Sequence, residues 1–154
     1  MDGLRAPTRD EIVADWHAFT GGPPVVGALR MYGPKDVEGV VLERDGRRGL
    51  ATWSVAGDTA ELVSIHVDRP GGGLGVELLR VFEARALAAG ARRLVLMTTN
   101  DNVDALRFYV REGYRLVRVH VDAMDRVRAL KPGVPLEGNG GVPLRDMWEL
   151  ERPL

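Results

Sequence analysis

Between Thr8 and Gly22 the apolar positions fall three and four apart, at Ile12, Val13, Trp16 and Phe19. Thr8 with Glu11 has the spacing of a capping box, so the pattern predicts a first amphipathic helix that ends near Gly21-Gly22. The stretches VVGALRM (25–31) and VEGVVLE (37–43) read as strands. Asp45-Gly46 predicts a hairpin turn into GLATWSV (49–55), and Gly57-Asp58 a second one into AELVSIHV (60–67). From residue 75 the period changes. Leu78, Leu79, Phe82, Ala86 and Ala89 follow a helical spacing that Gly90 stops. RRLVLM (92–97) then reads as a buried strand, residues 102–112 as a short helix closed by Gly113, and YRLVRVH (114–120) as another strand. The tail is less regular: a helix over 122–131, a Pro/Gly loop through Asn139-Gly140, and a last strand near DMWELE.

A strand–helix–strand unit from residue 60 to 97 requires a parallel crossover inside a sheet whose other connections are hairpins. The predicted class is therefore mixed α/β. The chain shows no repeat or low-complexity segment, and 154 residues suit a single domain spanning residues 1–154.

Composition mostly excludes. A formal net charge of −1 gives no electrostatic footprint for nucleic acid. The positive charge is almost all arginine, with Lys35 and Lys131 the only lysines. The absence of cysteine removes disulfides, thiolate metal sites and a cysteine nucleophile. His17, His66 and His120 are scattered, and no metal cluster is expected. No apolar run approaches the roughly 20 residues of a membrane span, and Asp2, Arg5, Arg9, Asp10 and Glu11 interrupt any signal-peptide core. A soluble, cytoplasmic protein without a membrane partner is the expectation.

The candidate chemistry begins at Gly71-Gly72-Gly73-Leu74-Gly75, between a strand and a helix. Such a turn offers unpaired amides and a positive dipole end to phosphate oxygens. A nucleoside-triphosphate loop needs Lys and Ser/Thr after its last glycine, where Val76-Glu77 stands. The dinucleotide fingerprint needs glycine at position 76 or 78, which are Val76 and Leu78. What remains is G-x-G-x-G. It is preceded by the strand ELVSIHV and followed, after a helix, by the strand LVLMTTN. NVDALRFYVREGY then supplies Asn102, Ala105, Tyr109, Gly113 and Tyr114 in the pattern N-x-x-A-x-x-x-Y-x-x-x-G-[FY].

In this order the segments resemble the GNAT N-acetyltransferase superfamily over nearly the whole chain. The resemblance implies a mostly antiparallel mixed sheet with a central parallel, splayed pair flanked by helices. It implies acetyl-CoA as co-substrate, no metal, and direct transfer to a primary amine of a small-molecule or peptide acceptor, with a homodimer as an expected assembly. The amides of Gly71, Gly72, Gly73, Leu74, Gly75 and Val76 would hold the pyrophosphate, and the main chain of Ile65, His66 and Val67 would orient the pantetheine arm. One position departs from the pattern. Pro70 stands where the family usually has Gln or Arg, which leaves the holding to Arg69 or to main chain alone.

For the chemistry, the resemblance implies Tyr109 as general acid toward the leaving thiolate. Asn102 would bond the pantetheine amides, cap the helix, or do both. Glu61 matches the glutamate that deprotonates the amine, often through water; a solvated strand-end carboxylate is the plainer reading. His66 is its rival, since an ordinary imidazole titrates near pH 6.5. Strict alternation puts Glu61 on the face of Val63, Ile65 and Val67 and His66 on that of Leu62 and Ser64, an assignment a β-bulge would break. Arg145, Asp146 and Trp148 read as ordinary loop and strand residues beside an acceptor region. A noncatalytic acyl-CoA-binding sensor on the same scaffold is the alternative function.

Overall fold

The computed structural model describes residues 3–154. Strand β1 (Leu4–Arg5) leads into α1 (Arg9–Phe19). The predicted capping box forms: Thr8 Oγ1 accepts from Glu11 N at 3.1 Å, and Glu11 Oε1 accepts from Thr8 N at 2.9 Å. The stretch read as one strand over 25–31 is instead two short strands, β2 (Val25–Val26) and β3 (Met31–Tyr32), paired antiparallel outside the main sheet. The reason is local. Residues 27–30 must turn so that their amides can reach a buried carboxylate, described below. Strands β4 (Glu38–Arg44), β5 (Arg47–Ala56) and β6 (Thr59–Val67) form the predicted meander. Asp45 and Gly46 both take positive φ, 52° and 72°, as a tight two-residue hairpin turn demands.

Helix α2 (Leu74–Ala88) crosses back to β7 (Arg93–Thr99). There follow α3 (Val103–Arg111), β8 (Arg115–His120), α4 (Ala123–Leu130) and β9 (Met147–Pro153). The seven-stranded sheet has the order β1-β4-β5-β6-β7-β9-β8, and β6–β7 is its parallel pair.

Alternation along the strands loads both faces of the sheet. On one, Leu78, Leu79 and Phe82 of α2 are fully buried against Leu42, Trp53, Leu62 and Leu94, with Tyr109 and Tyr114 extending the same core. Each such side chain contributes roughly 1.5–3 kcal/mol by leaving water. On the other face, Ile12 and Trp16 of α1 pack with Tyr32. Trp16 Nε1 donates to Ser64 Oγ at 3.0 Å, which ties α1 to β6. Helix α4 forms a third cluster, in which Met124 and Val127 meet Leu144 and Met147.

Candidate active site

Strands β6 and β7 pair only from Thr59–Arg93 to Leu62–Leu96. Beyond that point β6 stays on β5 as far as Val67, while β7 follows β9 as far as Thr99. The two strands part like a wedge, and the side of β6 that faces β7 has no ladder partner past Leu62. A cavity of about 600 Å³ fills the wedge, well within the range of small-molecule sites. Its walls include Ile65 and His66 from β6, Met97 to Thr99 from β7, and Asn102, Ala105 and Tyr109 at one end; Phe19, Val25, Val26, Val127 and Lys131 line the other.

The glycine loop lies where β6 hands over to α2. Gly71, Gly72 and Gly73 have φ of 88°, 77° and 75°, three successive residues in the left-handed region, which explains an unbroken glycine run there. Among the described residues, no amide from Gly71 to Val76 donates to a main-chain or side-chain acceptor. These donors converge at the start of a 15-residue helix, an arrangement suited to an anion.

Arg69 does not face this loop; its guanidinium donates to the carbonyl of Gly46 at 2.8 Å. The cation beside the glycines is Arg47, at the start of β5. A Cβ at Gly72 would lie 3.1 Å from Arg47 Cδ and 3.3 Å from its Nη1, and the buried Arg47 Nε has no hydrogen-bond partner. Arg44 also reaches the loop, donating to Gly72 O at 2.9 Å and pairing with Glu77. Sequence spacing missed Arg47 because the hairpin that delivers it lies more than twenty residues upstream.

Asn102 caps α3, its Oδ1 accepting from Ala105 N at 3.1 Å, and it also lines the cavity. Two turns further along α3, Tyr109 is buried, with Phe108 and Tyr114 edge-on to its ring at 5.2 and 5.7 Å. Its hydroxyl has no hydrogen-bond partner among the described residues. Burial pushes the phenol well above its ordinary range, so it holds its proton at neutral pH.

The opposite wall depends on a β-bulge. Thr52 pairs with Ser64 and Trp53 with Leu62, which leaves Val63 without a partner on β5. The extra residue shifts the alternation, and the parity expected from sequence is overturned. Ile65 and Val67 pack toward the α2 core with Leu62, whereas Glu61, Ser64 and His66 all face α1 and Tyr32.

Glu61 is not a solvated strand end, for it is fully buried. Its carboxylate accepts from Ala28 N at 2.5 Å, Leu29 N at 3.0 Å and the Tyr32 hydroxyl at 2.7 Å. Gly27 makes room for it, since a Cβ there would lie 2.6 Å from Glu61 Oε2. Desolvation outweighs these donors and raises the carboxyl above its usual range.

His66 is differently placed. Its Nδ1 lies 2.7 Å from Asp15 Oδ2, and its ring stacks on Phe19 with centroids 4.4 Å apart. A carboxylate only accepts, so Nδ1 carries the proton between the two side chains, and Nε2 has no hydrogen-bond partner among the described residues. Asp15, the partner, had no signal in the sequence beyond lying on α1. Arg145, Asp146 and Trp148 do not line the cavity.

The model of the Acetyltransferase (GNAT) family matches residues 10–114. The uncharacterized protein YxbD of Bacillus subtilis (strain 168) is 31% identical over 148 residues, covering 95% of this chain and 93% of that protein. Among solved structures, an IAA acetyltransferase from Bacillus cereus ATCC 14579 aligns over 98% of both chains, with a TM-score of 0.76 and 19% identity. A GNAT family acetyltransferase from Elizabethkingia anophelis with acetyl-CoA bound aligns over 100% of both chains, with a TM-score of 0.71 and 18% identity.

Proposed function

The chain belongs to the GNAT acetyltransferase family, and on that premise we propose that it moves the acetyl group of acetyl-CoA to a primary amine by direct attack in a ternary complex. The observation that carries this reading is Tyr109, a buried tyrosine whose protonated hydroxyl is unpartnered among the described residues and lies on the wall of the cavity between the parted strands. A structural tyrosine at this depth ordinarily finds a partner for its hydroxyl. One left without a partner beside a cavity suits proton donation.

In this reading the amides of Gly71 to Val76 hold the pyrophosphate, with Arg47 supplying the positive charge that Pro70 cannot. The unpaired edge of β6 at Ile65, His66 and Val67 takes the pantetheine arm, and Asn102 closes its far side. The amine nitrogen attacks the thioester carbonyl carbon, and its surplus proton passes to His66 Nε2, whose ring Asp15 and Phe19 hold in place. As the tetrahedral intermediate collapses, the C–S bond breaks and the thiolate takes the proton of Tyr109. The chain lacks the cysteine that a covalent acetyl-cysteine intermediate requires.

A second reading of the base has its own support. Glu61 lines the same cavity, and its raised basicity suits proton uptake through a water. Its three donors favour a supporting role for it, in which it fixes the 27–30 turn at the acceptor end. The exposed Val117 and Val119 on the edge strand β8 support pairing of two copies there, which sedimentation at working concentration tests.

The main test is a thermal shift with acetyl-CoA, followed by thiol release over a panel of amines. Binding and release that depend on Tyr109 support the transferase. Binding without release from any amine turns the assignment to an acyl-CoA sensor, and no shift removes both.

A further inference from the structure

Lys131, one of only two lysines in the chain, follows the last residue of α4 and reaches into the acceptor end of the cavity. Its ammonium donates to the carbonyls of Thr20 at 2.7 Å and Pro24 at 3.0 Å. An ammonium has three N–H groups, so one remains after the clamp is made. No carboxylate among the described residues lies within ion-pair distance of it, although the side chain is half-buried.

The carboxylates on the cavity wall are held by neutral donors and do not pair with Lys131. Glu61 has its three donors. Asp101 accepts from the Thr99 hydroxyl and from Asn139 N and Nδ2 at 2.9 and 3.0 Å. His66 is engaged with Asp15. Lys131 is thus a cation on that wall with no carboxylate partner among the described residues, and the walls beside it, Val25, Val26, Val127 and Val134, are apolar.

We propose that the acceptor is an amine that also carries one carboxylate on an apolar body, with Lys131 as the counter-ion. This rests on the transferase reading and names its substrate class. One ammonium balances one negative charge; a phosphate dianion would leave a charge uncompensated against valine side chains, at high cost. A carboxylate on Lys131 also orients the acceptor, because the amine must then extend from that end of the cavity toward the thioester. Lys131 is a binding residue in this scheme and touches no reacting atom.

Matched pairs of acceptors test it: L-leucine and L-phenylalanine against their carboxamides, and 5-aminovalerate against its amide, each with acetyl-CoA in a thiol-release assay. The expected result is a kcat/KM at least about ten-fold higher for the carboxylates, a ratio that Lys131→Met and Lys131→Gln bring near one and Lys131→Arg largely keeps. The ratio is the readout because loosening the Thr20–Pro24 clamp would slow both members of a pair together. Equal rates for the wild-type pairs overturn the proposal, and so does turnover confined to uncharged amines or a ratio that survives both neutral substitutions. The wild-type pairs decide even if the neutral variants do not fold. Absence of any acetyl-CoA thermal shift would instead remove the transferase reading beneath it.

Discussion

The imidazole of His66 and the carboxylate of Asp15 meet at 2.7 Å across the contact between β6 and α1, with Asp15 only 8% exposed. Two features make the meeting possible. The bulge at Val63 turns His66 toward α1, and the Trp16–Ser64 hydrogen bond locks that helix in register beside the strand. If this pair takes the amine's proton, Asp15→Asn removes the negative charge and offers an N–H that favours the other tautomer, and should lower kcat roughly 10- to 100-fold. His66→Gln should do at least as much, and the double variant should be no worse than His66→Gln alone. Steady-state kinetics at saturating acetyl-CoA check this. A full-rate His66→Gln enzyme would hand the role to Glu61.

Tyr109→Phe removes a hydroxyl that bonds to nothing else among the described residues, so the fold should tolerate it. Turnover should fall roughly 10- to 1000-fold while acetyl-CoA affinity by calorimetry stays nearly unchanged. Acceptors with good thiol-independent reactivity give no escape, because the leaving group is the same for all of them. Unchanged turnover removes Tyr109 from the mechanism.

Much of this arrangement was legible in the sequence because it depends on local pattern. The period change at residue 75, the glycine run, the capping box at Thr8 and the spacing from Asn102 to Tyr114 each have a near-neighbour cause. The rest arises from distant contacts. The 25–31 stretch looks like one strand until the buried Glu61, on another strand, draws the amides of Ala28 and Leu29 into a turn. The bulge at Val63 is set by the fit of β5 on β6, which apolar alternation does not encode. Arg47 resembles any hairpin arginine until the fold lays it against Gly72.

Arg47 provides a separable test of the cradle. Arg47→Ala should weaken acetyl-CoA binding by about ten-fold, since a charge-assisted contact to phosphate is lost. S-acetylpantetheine, which has no pyrophosphate, should be used equally well by both forms. Gly73→Glu goes further, placing negative charge and an unfavourable φ of 75° in the loop, and should abolish binding by calorimetry. If both variants bind acetyl-CoA as the parent does, the glycine loop is not the phosphate site.

The acceptor end should carry a pH signature. Partial burial lowers the Lys131 ammonium below the ordinary lysine value of 10.5. A depressed value means that the charged form costs stability in the folded protein. That cost is fully felt at low pH, and the group's contribution to stability recovers as pH rises through the depressed value. Binding of a carboxylate runs the opposite way, because it requires the charge. The KM for a carboxylated acceptor should therefore climb on the alkaline side, at a lower pH than an exposed lysine would produce. The KM for the matched carboxamide should show no such climb. Lys131→Arg supplies the control, since guanidinium keeps its charge throughout the accessible range and should abolish the alkaline rise. Parallel KM profiles for acid and amide, or an alkaline rise that persists in Lys131→Arg, would assign the effect to another group.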